Sequence, residues 1–270
     1  MSDLTIDKLF GIQGKVAIVT GGSRGIGRMI AQGYLANGAA RVYITSRKAE
    51  QCETAARELG ALGECIALPA DLADREGRRG FVEEIQRREE AVDILVNNAG
   101  VAWGQPYEEF SEEGYDKTVD INQKAPFFLT RDLIPQLACR ASFEDPGRVI
   151  MIGSIDGIWV PPQINFAYAP SKAAVHHLTR VLSVELGPRA ITVNCIAPGP
   201  FETKMMQFTI DHNREKLEAG SFMGRLGQPG DMAGAALYLA SRAASYVTGV
   251  VIPVDGGVIL RPGVSSLVPE

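Results

Sequence analysis

Along this chain, short runs of apolar residues alternate with longer stretches in which apolar positions recur every three or four residues. Lys15-Val16-Ala17-Ile18-Val19-Thr20 is almost continuously apolar, as a parallel strand buried on both faces requires. Further apolar runs fall at residues 41–46, 64–69, 93–96, 148–152, 191–196 and 247–254. Between them, helical periodicity covers 28–37, 49–62, 75–90, 111–138, the stretch from Tyr168 through Leu186, and 231–241. Strand and helix alternate throughout, with no composition break, internal repeat or low-complexity tract. The pattern predicts an α/β fold: one domain over residues 1–270, built on a seven-stranded parallel sheet with helices on both faces.

A length of 270 residues is ample for a large core. The net charge of −5 and pI near 5.4 leave no basic excess with which to hold nucleic acid or an anionic membrane, so neither is an expected partner. No uninterrupted apolar stretch approaches the ~20 residues that cross a bilayer, and MSDLTIDKLFG has no cationic segment leading into an apolar one. A cytoplasmic location is the expectation. Cys52, Cys65, Cys139 and Cys195 are scattered without a C-x-x-C and read as buried or inert thiols. His176, His177 and His212 join no cluster with zinc-like spacing, and neighbours on a helix diverge by about 100°, too far to share one ligand geometry. No metal is expected.

Candidate chemistry gathers where the expected strands end. Gly21-Gly22-Ser23-Arg24-Gly25-Ile26-Gly27 joins the first strand to a helix whose apolar positions are Ile26, Ile30, Ala31, Tyr34 and Leu35. In a strand, glycine-rich turn and helix arrangement, backbone N–H groups and the helix N-terminus hold a pyrophosphate; a plain tight βα turn is the alternative. Sites for a free adenosine 2′-hydroxyl usually place an acid near the end of the second strand. Here that strand runs into Arg47, and Arg24 stands inside the turn. Two guanidiniums could converge on a 2′-phosphate, favouring NADP(H) over NAD(H), with two solvated surface arginines as the alternative.

Asn97-Asn98-Ala99-Gly100 closes the fourth strand with small and amide residues that let the chain pass close to a ligand. Asn122 interrupts a helical pattern, where its amide is expected to bond backbone or water. Gly153-Ser154 ends strand five, and a loop with Trp159, Pro161 and Pro162 follows. Tyr168-Ala169-Pro170-Ser171-Lys172 then opens a helix, with Pro170 in the first turn, where its missing N–H costs little. Residues four apart share a helix face, so the phenol and the ammonium can enter one pocket, the charge lowering the phenol from its usual ~10. A rim aromatic beside a solvated amine has the same spacing. The run Gln86-Arg87-Arg88-Glu89-Glu90 reads as a solvated face. Over residues 200–227 the periodicity weakens around Met205, Met206, Phe208, Phe222 and Met223, as a substrate-binding lid would show.

Thr20-Gly21-x-x-x-Gly25-x-Gly27, Asp71-Leu72, Asn97-Asn98-Ala99-Gly100, Asn122, Ser154, Tyr168-x-x-x-Lys172, Asn194 and Pro198-Gly199 stand in an order and spacing that resembles the classical short-chain dehydrogenase/reductase family, from about residue 15 to 257. The resemblance implies a doubly wound Rossmann fold and an NADP(H)-dependent enzyme acting on a small-molecule carbonyl or alcohol. Tyr168 would give its proton to the carbonyl oxygen as hydride arrives, and Ser154 would donate a hydrogen bond to that oxygen. Lys172 would hold the nicotinamide ribose and lower the phenol pKa, and Asn122 would anchor a water that resupplies the proton. Gly21, Gly25 and Gly27 would border the pyrophosphate, Asp71 the adenine, Asn98 the adenosine ribose, and Pro198 and Gly199 the nicotinamide. Ser23, Arg24, Ile26, Arg47, Leu72, Ala99, Gly100 and Thr203 complete the implied cofactor-binding set. The family also implies a homo-oligomer, a dimer or homotetramer formed through two long helices and the last strand.

Within the family, the sequence looks most like the 3-oxoacyl reductases, including those of bacterial rhamnolipid synthesis. That implies reduction of a 3-oxoacyl ketone to a secondary alcohol, with an NADP-linked dehydrogenase of a sugar, polyol or other small alcohol as the alternative. Relatives that serve acyl carrier protein carry basic residues before strand five and near the end of the catalytic helix. Arg189 matches the second position, whereas Ser142-Phe143-Glu144-Asp145 is acidic at the first, with Arg140 and Arg148 nearby. The acidic stretch counts against docking of an acyl carrier protein.

Overall fold

The computed structural model describes residues 4–161 and 165–260. A short helix, α1 (Ile6–Phe10), precedes β1 (Val16–Thr20), α2 (Gly25–Ala36), β2 (Arg41–Thr45), α3 (Ala49–Leu59), β3 (Cys65–Ala67), α4 (Arg75–Arg88) and β4 (Ile94–Asn97). Three shorter helices, α5 (Glu112–Val119), α6 (Ala125–Asp132) and α7 (Ile134–Cys139), lead to β5 (Gly147–Ile152). Next come α8 (Tyr168–Leu186), β6 (Ile191–Pro198), α9 (Gln207–Gly220), α10 (Pro229–Ala240) and β7 (Val251–Val254). The strands form one seven-stranded parallel sheet in the order β3-β2-β1-β4-β5-β6-β7, as the apolar runs predict.

Successive strand residues face opposite sides, and each side finds its own helices. Ala17 and Val19 pack with Ile30 and Tyr34 of α2 and with Met232 and Leu239 of α10. Val16 and Ile18 join Phe81 and Ile85 of α4, Leu129 of α6, and Leu182 and Leu186 of α8. Winding reverses between β1 and β4, because β2 and β3 extend the sheet one way and β5 to β7 the other. At such a switch point the crossover helices diverge and leave a crevice at the carboxyl ends of the strands.

The helix expected over 111–138 is broken twice, and proline explains both breaks. Pro126 has no N–H for the carbonyl of Asn122, and Pro135 has none for that of Arg131. Over Asp120–Lys124 the ladder widens into a π turn, in which the Ala125 N–H reaches back five residues to Asp120. The chain leaves helical geometry again at Leu133 (φ −100°, ψ 5°). Farther on, the expected strand over 247–254 begins only at Val251, because Gly249 turns the chain at φ +77°. Within the 200–227 segment lies α9, which bends at Asn213 (φ −143°, ψ 23°).

Glu89 corrects the reading of residues 86–90 as a solvated face. It leaves α4 in extended geometry (φ −128°, ψ 121°) and is only 8% exposed. Its carboxylate accepts a 2.7 Å hydrogen bond from the Tyr43 hydroxyl and pairs with Arg41, which also meets Glu64 at 2.9 Å. Cys52 and Cys195 are buried as expected, whereas Cys139 is exposed. Among the described residues, no helix is long and apolar enough to cross a membrane.

Replacing Glu89 by Leu strands the buried Tyr43 phenol and leaves Arg41 with Glu64 alone. The expected loss is about 2 kcal/mol of stability, seen as a lower urea midpoint at unchanged slope. An unchanged midpoint would show that the Arg41–Glu89–Tyr43 trio adds nothing.

Candidate active site

β1 ends at Thr20 and must turn into α2 within four residues. Gly21 (φ +66°) and Gly25 (φ +53°) take left-handed conformations that other residues rarely adopt. At Gly27 a Cβ would stand 2.4 Å from Asn98 Nδ2 and 2.5 Å from the Gly21 carbonyl oxygen, so the turn closes only without a side chain there. Thr20 and Asn98 fasten it: Thr20 Oγ1 accepts the N–H groups of Asn98 and Ala99, both at 2.9 Å, and Asn98 Nδ2 donates to the Thr20 carbonyl at 2.7 Å. No side chain caps the start of α2, which leaves its first N–H groups and the positive end of the helix dipole open beside Ser23 and Ile26. Thr203 closes the turn from outside, its Cγ2 lying 3.3 Å from where a Gly25 Cβ would be.

Thr20 pairs with Thr45, so the turn lies beside Ser46 and Arg47. Arg24 and Arg47 are both exposed, and among the described residues neither guanidinium has a hydrogen-bond or ion-pair partner. Asp71 is exposed beyond β3, its Oδ1 accepting the Ala73 N–H at 3.0 Å, while Leu72 is buried and shares a small void with Thr20 and Ala99. Pro198 closes β6. Gly199 donates to the Val254 carbonyl at 3.0 Å, and a Cβ on it would stand 2.7 Å from Asp255 Cα.

The first two turns of α8 carry Tyr168 and Lys172, with the Tyr168 N–H capped by Asn165 Oδ1 at 2.8 Å. Lys172 is 5% exposed; its Nζ donates to the Ile152 carbonyl at 2.8 Å and lies 5.5 Å from the Tyr168 ring centre. A Cβ at Gly100 would stand 3.5 Å from that Nζ, so the end of β4 meets the pair closely. From the end of β5, Ser154 Oγ accepts the Asp156 N–H at 3.1 Å and hydrogen-bonds Tyr168. Buried in the π turn, Asn122 accepts the Val101 N–H at 2.9 Å and donates to the Val101 carbonyl at 3.0 Å and to Ser171 Oγ at 2.9 Å. Ser171 in turn donates to the Tyr168 carbonyl at 2.7 Å. The amide of Asn122 thus bonds backbone, as a polar residue inside a helix pattern suggests, and ties the π turn to α8.

Burial sets the electrostatics. It pushes the Tyr168 phenol up to about 12, with the Ser154 hydrogen bond opposing and Asp156 reinforcing the shift. It also brings Lys172 down to about 8, against the pull of Cys195 and Asp156. The phenol is thus shifted upward by burial, opposite to the direction that its spacing from Lys172 suggests. Burial raises the Asp156 carboxyl too, with Lys172 opposing. Asp156 and His176 are site neighbours that the sequence reading misses. The available signal is positional, since Asp156 stands two residues after Ser154 and His176 one helical turn beyond Lys172.

Other expected positions do not join the site. Arg148 is 1% exposed and donates to the Pro146 carbonyl and, at 3.0 Å, to that of Ser241, so it offers nothing to a docking partner. Arg189 is exposed and meets Glu185 at 3.5 Å. Pro162 lies outside the described residues.

A family model described as Enoyl-(Acyl carrier protein) reductase matches residues 21–259. The rhamnolipids biosynthesis 3-oxoacyl-(acyl-carrier-protein) reductase of Pseudomonas aeruginosa is 46% identical over 251 residues, covering 92% of this chain and 97% of that protein. The 2-dehydro-3-deoxy-D-gluconate 5-dehydrogenase of Pseudoalteromonas atlantica is 36% identical over 255 residues, covering 92% and 97%. Among solved structures, the Pseudomonas aeruginosa RhlG/NADP active-site complex has 44% identity and a TM-score of 0.89, covering 93% of this chain and 98% of that one. A gluconate 5-dehydrogenase from Burkholderia cenocepacia J2315, in complex with NADP and tartrate, has 31% identity and a TM-score of 0.86, covering 94% and 99%. Ordered motifs, parallel sheet and near-complete coverage agree: the chain belongs to the short-chain dehydrogenase/reductase family.

Proposed function

We propose that the chain is an NADPH-dependent reductase that converts a 3-oxoacyl ketone into a secondary alcohol, with Tyr168 as the proton donor. The observation that carries this reading is the meeting of Ser154, Tyr168 and Lys172 beside a glycine cradle flanked by two unpaired guanidiniums. The residues present suit the dinucleotide. The side-chain-free turn at Gly21, Gly25 and Gly27 and the uncapped start of α2 would take the pyrophosphate, and Arg24 and Arg47 the 2′-phosphate. Ser23, Ile26, Asp71, Leu72, Asn98 and Ala99 would border the adenosine half, and Gly100, Tyr168, Lys172, Pro198, Gly199 and Thr203 the nicotinamide half. When bound, the dinucleotide supplies the hydride that reduces the carbonyl.

The chain's own residues then handle the oxygen and its proton. A phenol held near 12 keeps its proton at neutral pH and gives it to the alkoxide as charge develops there. Ser154 Oγ accepts the Asp156 N–H, and its single hydrogen would turn from Tyr168 to the substrate oxygen. Lys172 spends one N–H on Ile152 and has two more for ribose hydroxyls and for the refilling of Tyr168. The refilling water would sit on the backbone carbonyl of Asn122, since both side-chain N–H groups are already donated and Pro126 offers that carbonyl no N–H.

The 3-oxoacyl assignment is supported by the 46% identical relative and by exposed apolar side chains on the lid segment, among them Phe208, Phe222 and Met223. Buried Arg148 adds nothing to a carrier-docking patch before β5. A second reading, an NADP-linked dehydrogenase of a sugar or polyol, is favoured by Asp156, a half-buried carboxylate beside Ser154 able to accept a substrate hydroxyl. Val181 and Val184, 52% and 79% exposed on α8, support a homo-oligomer, dimer or tetramer.

Offered 3-oxoacyl thioesters, small ketones and polyols with either nucleotide, the enzyme is expected to consume NADPH with 3-oxoacyl substrates. Tight NADPH binding without turnover of any carbonyl would sink the reductase reading, and turnover of polyols alone would favour the second. Arg47→Asp should raise the NADPH KM about tenfold or more while barely changing that for NADH, given the strength of an Arg–phosphate contact; an unchanged ratio removes Arg47 from the phosphate site. Lys172 is charged below its folded pKa of about 8 and neutral above it. The kcat/KM for reduction should therefore stay level below pH 8 and fall above it, and a flat profile through pH 10 would contradict a role for the ammonium.

A further inference from the structure

His176 belongs to no metal cluster, yet it is 5% exposed and stands directly behind Ser154. Its Nε2 lies 3.5 Å from the Ser154 backbone nitrogen, and the same ring hydrogen-bonds the backbone of Gly157. One imidazole therefore spans both ends of the turn Ser154–Gly157. Two glycines make room for it: a Cβ at Gly153 would stand 2.2 Å from Nε2, and one at Gly157 would stand 2.8 Å from Cε1. The Ser154 contact assigns the tautomer: Nε2 faces an N–H and must accept, so Nδ1 carries the proton. Burial, with Lys172 and Arg180 adding repulsion, brings the ring down to about 4 and keeps it neutral at physiological pH.

We propose that His176 is the positioning residue for Ser154: as a neutral imidazole it pins the Ser154–Gly157 turn to α8 and so holds the serine hydroxyl beside that of Tyr168. The two hydroxyls come from different elements, β5 and α8, and must meet one carbonyl oxygen. Lys172 ties the same elements together from its own side, through the Ile152 carbonyl. His176, four residues along the same helix face, adds the tie that fixes the residue after the strand. The inference rests on the reading of Ser154 as donor to the substrate oxygen.

The test is a double-mutant cycle in single-turnover reduction, comparing wild type, His176→Leu, Ser154→Ala and the double variant, with NADPH affinity measured by fluorescence titration. His176→Leu should slow the chemical step by about tenfold to a hundredfold, the scale of a misplaced catalytic group, and leave NADPH affinity within about twofold. In the Ser154→Ala background the same change should cost less than about twofold, because the group it positions is already gone. His176→Gln, which can still accept the Ser154 N–H, should recover most of the rate. An equal loss in both backgrounds, or a parallel loss of NADPH affinity, would overturn the proposal in favour of general packing. Should His176→Leu not fold, Gly153→Ala, whose Cβ intrudes on the imidazole, takes its place in the cycle with the same expectations. A Ser154→Ala enzyme at full rate is a separate outcome: it removes the Ser154 reading itself, and His176 with it.

Discussion

Room for polar chemistry in this molecule is set by how its sheet is covered. Helices lie over both faces, so β1, β4, β5 and β6 are buried along their whole length. Water and ligands can approach only the strand ends, and the reversal of winding between β1 and β4 opens the carboxyl row. Much of the site hangs from that row: the glycine turn from β1, Arg47 beyond β2, Asn98 from β4, Ser154 from β5 and Pro198 from β6. The clasp between Thr20 and Asn98 spans the switch point itself, so the cradle is held by the two strands that the topology brings together there.

The burial that builds the core also acts on the chemistry. Tyr168 and Lys172 are both shifted against charge, the phenol upward and the ammonium downward. A phenol that keeps its proton suits donation to a carbonyl, and a lysine with a folded pKa near 8 is charged through the neutral range. Asn122, Ser171 and Tyr168 form one chain of hydrogen bonds from the π turn to the catalytic helix, so the break that Pro126 makes in the helix ladder is also what seats Asn122 there.

Much of this was legible in the residues. Continuous apolar runs mark a doubly covered parallel strand, glycines mark the tight turn, and spacing alone puts Tyr168 and Lys172 on one face. Charged residues misled. Glu89 sits in a charged run and reads as solvated, and Arg148 reads as a basic residue near a docking stretch, but their partners, Tyr43 and the Ser241 carbonyl, come from distant parts of the chain. His176 was legible as helical and illegible as a neighbour of Ser154, since its contact reaches back 22 residues to another element.

What the sequence determined by itself is the order of strands and helices, the place of the glycine turn and the shared helix face of Tyr168 and Lys172. Those depend on local periodicity and on backbone freedom, which a few consecutive residues settle. Only the tertiary structure decided which charges are buried, where the long helical pattern opens into a π turn, and that burial shifts the Tyr168 phenol upward. Desolvation and long-range hydrogen bonds are properties of what surrounds a side chain, and that is fixed only when the sheet and its helices have closed around it.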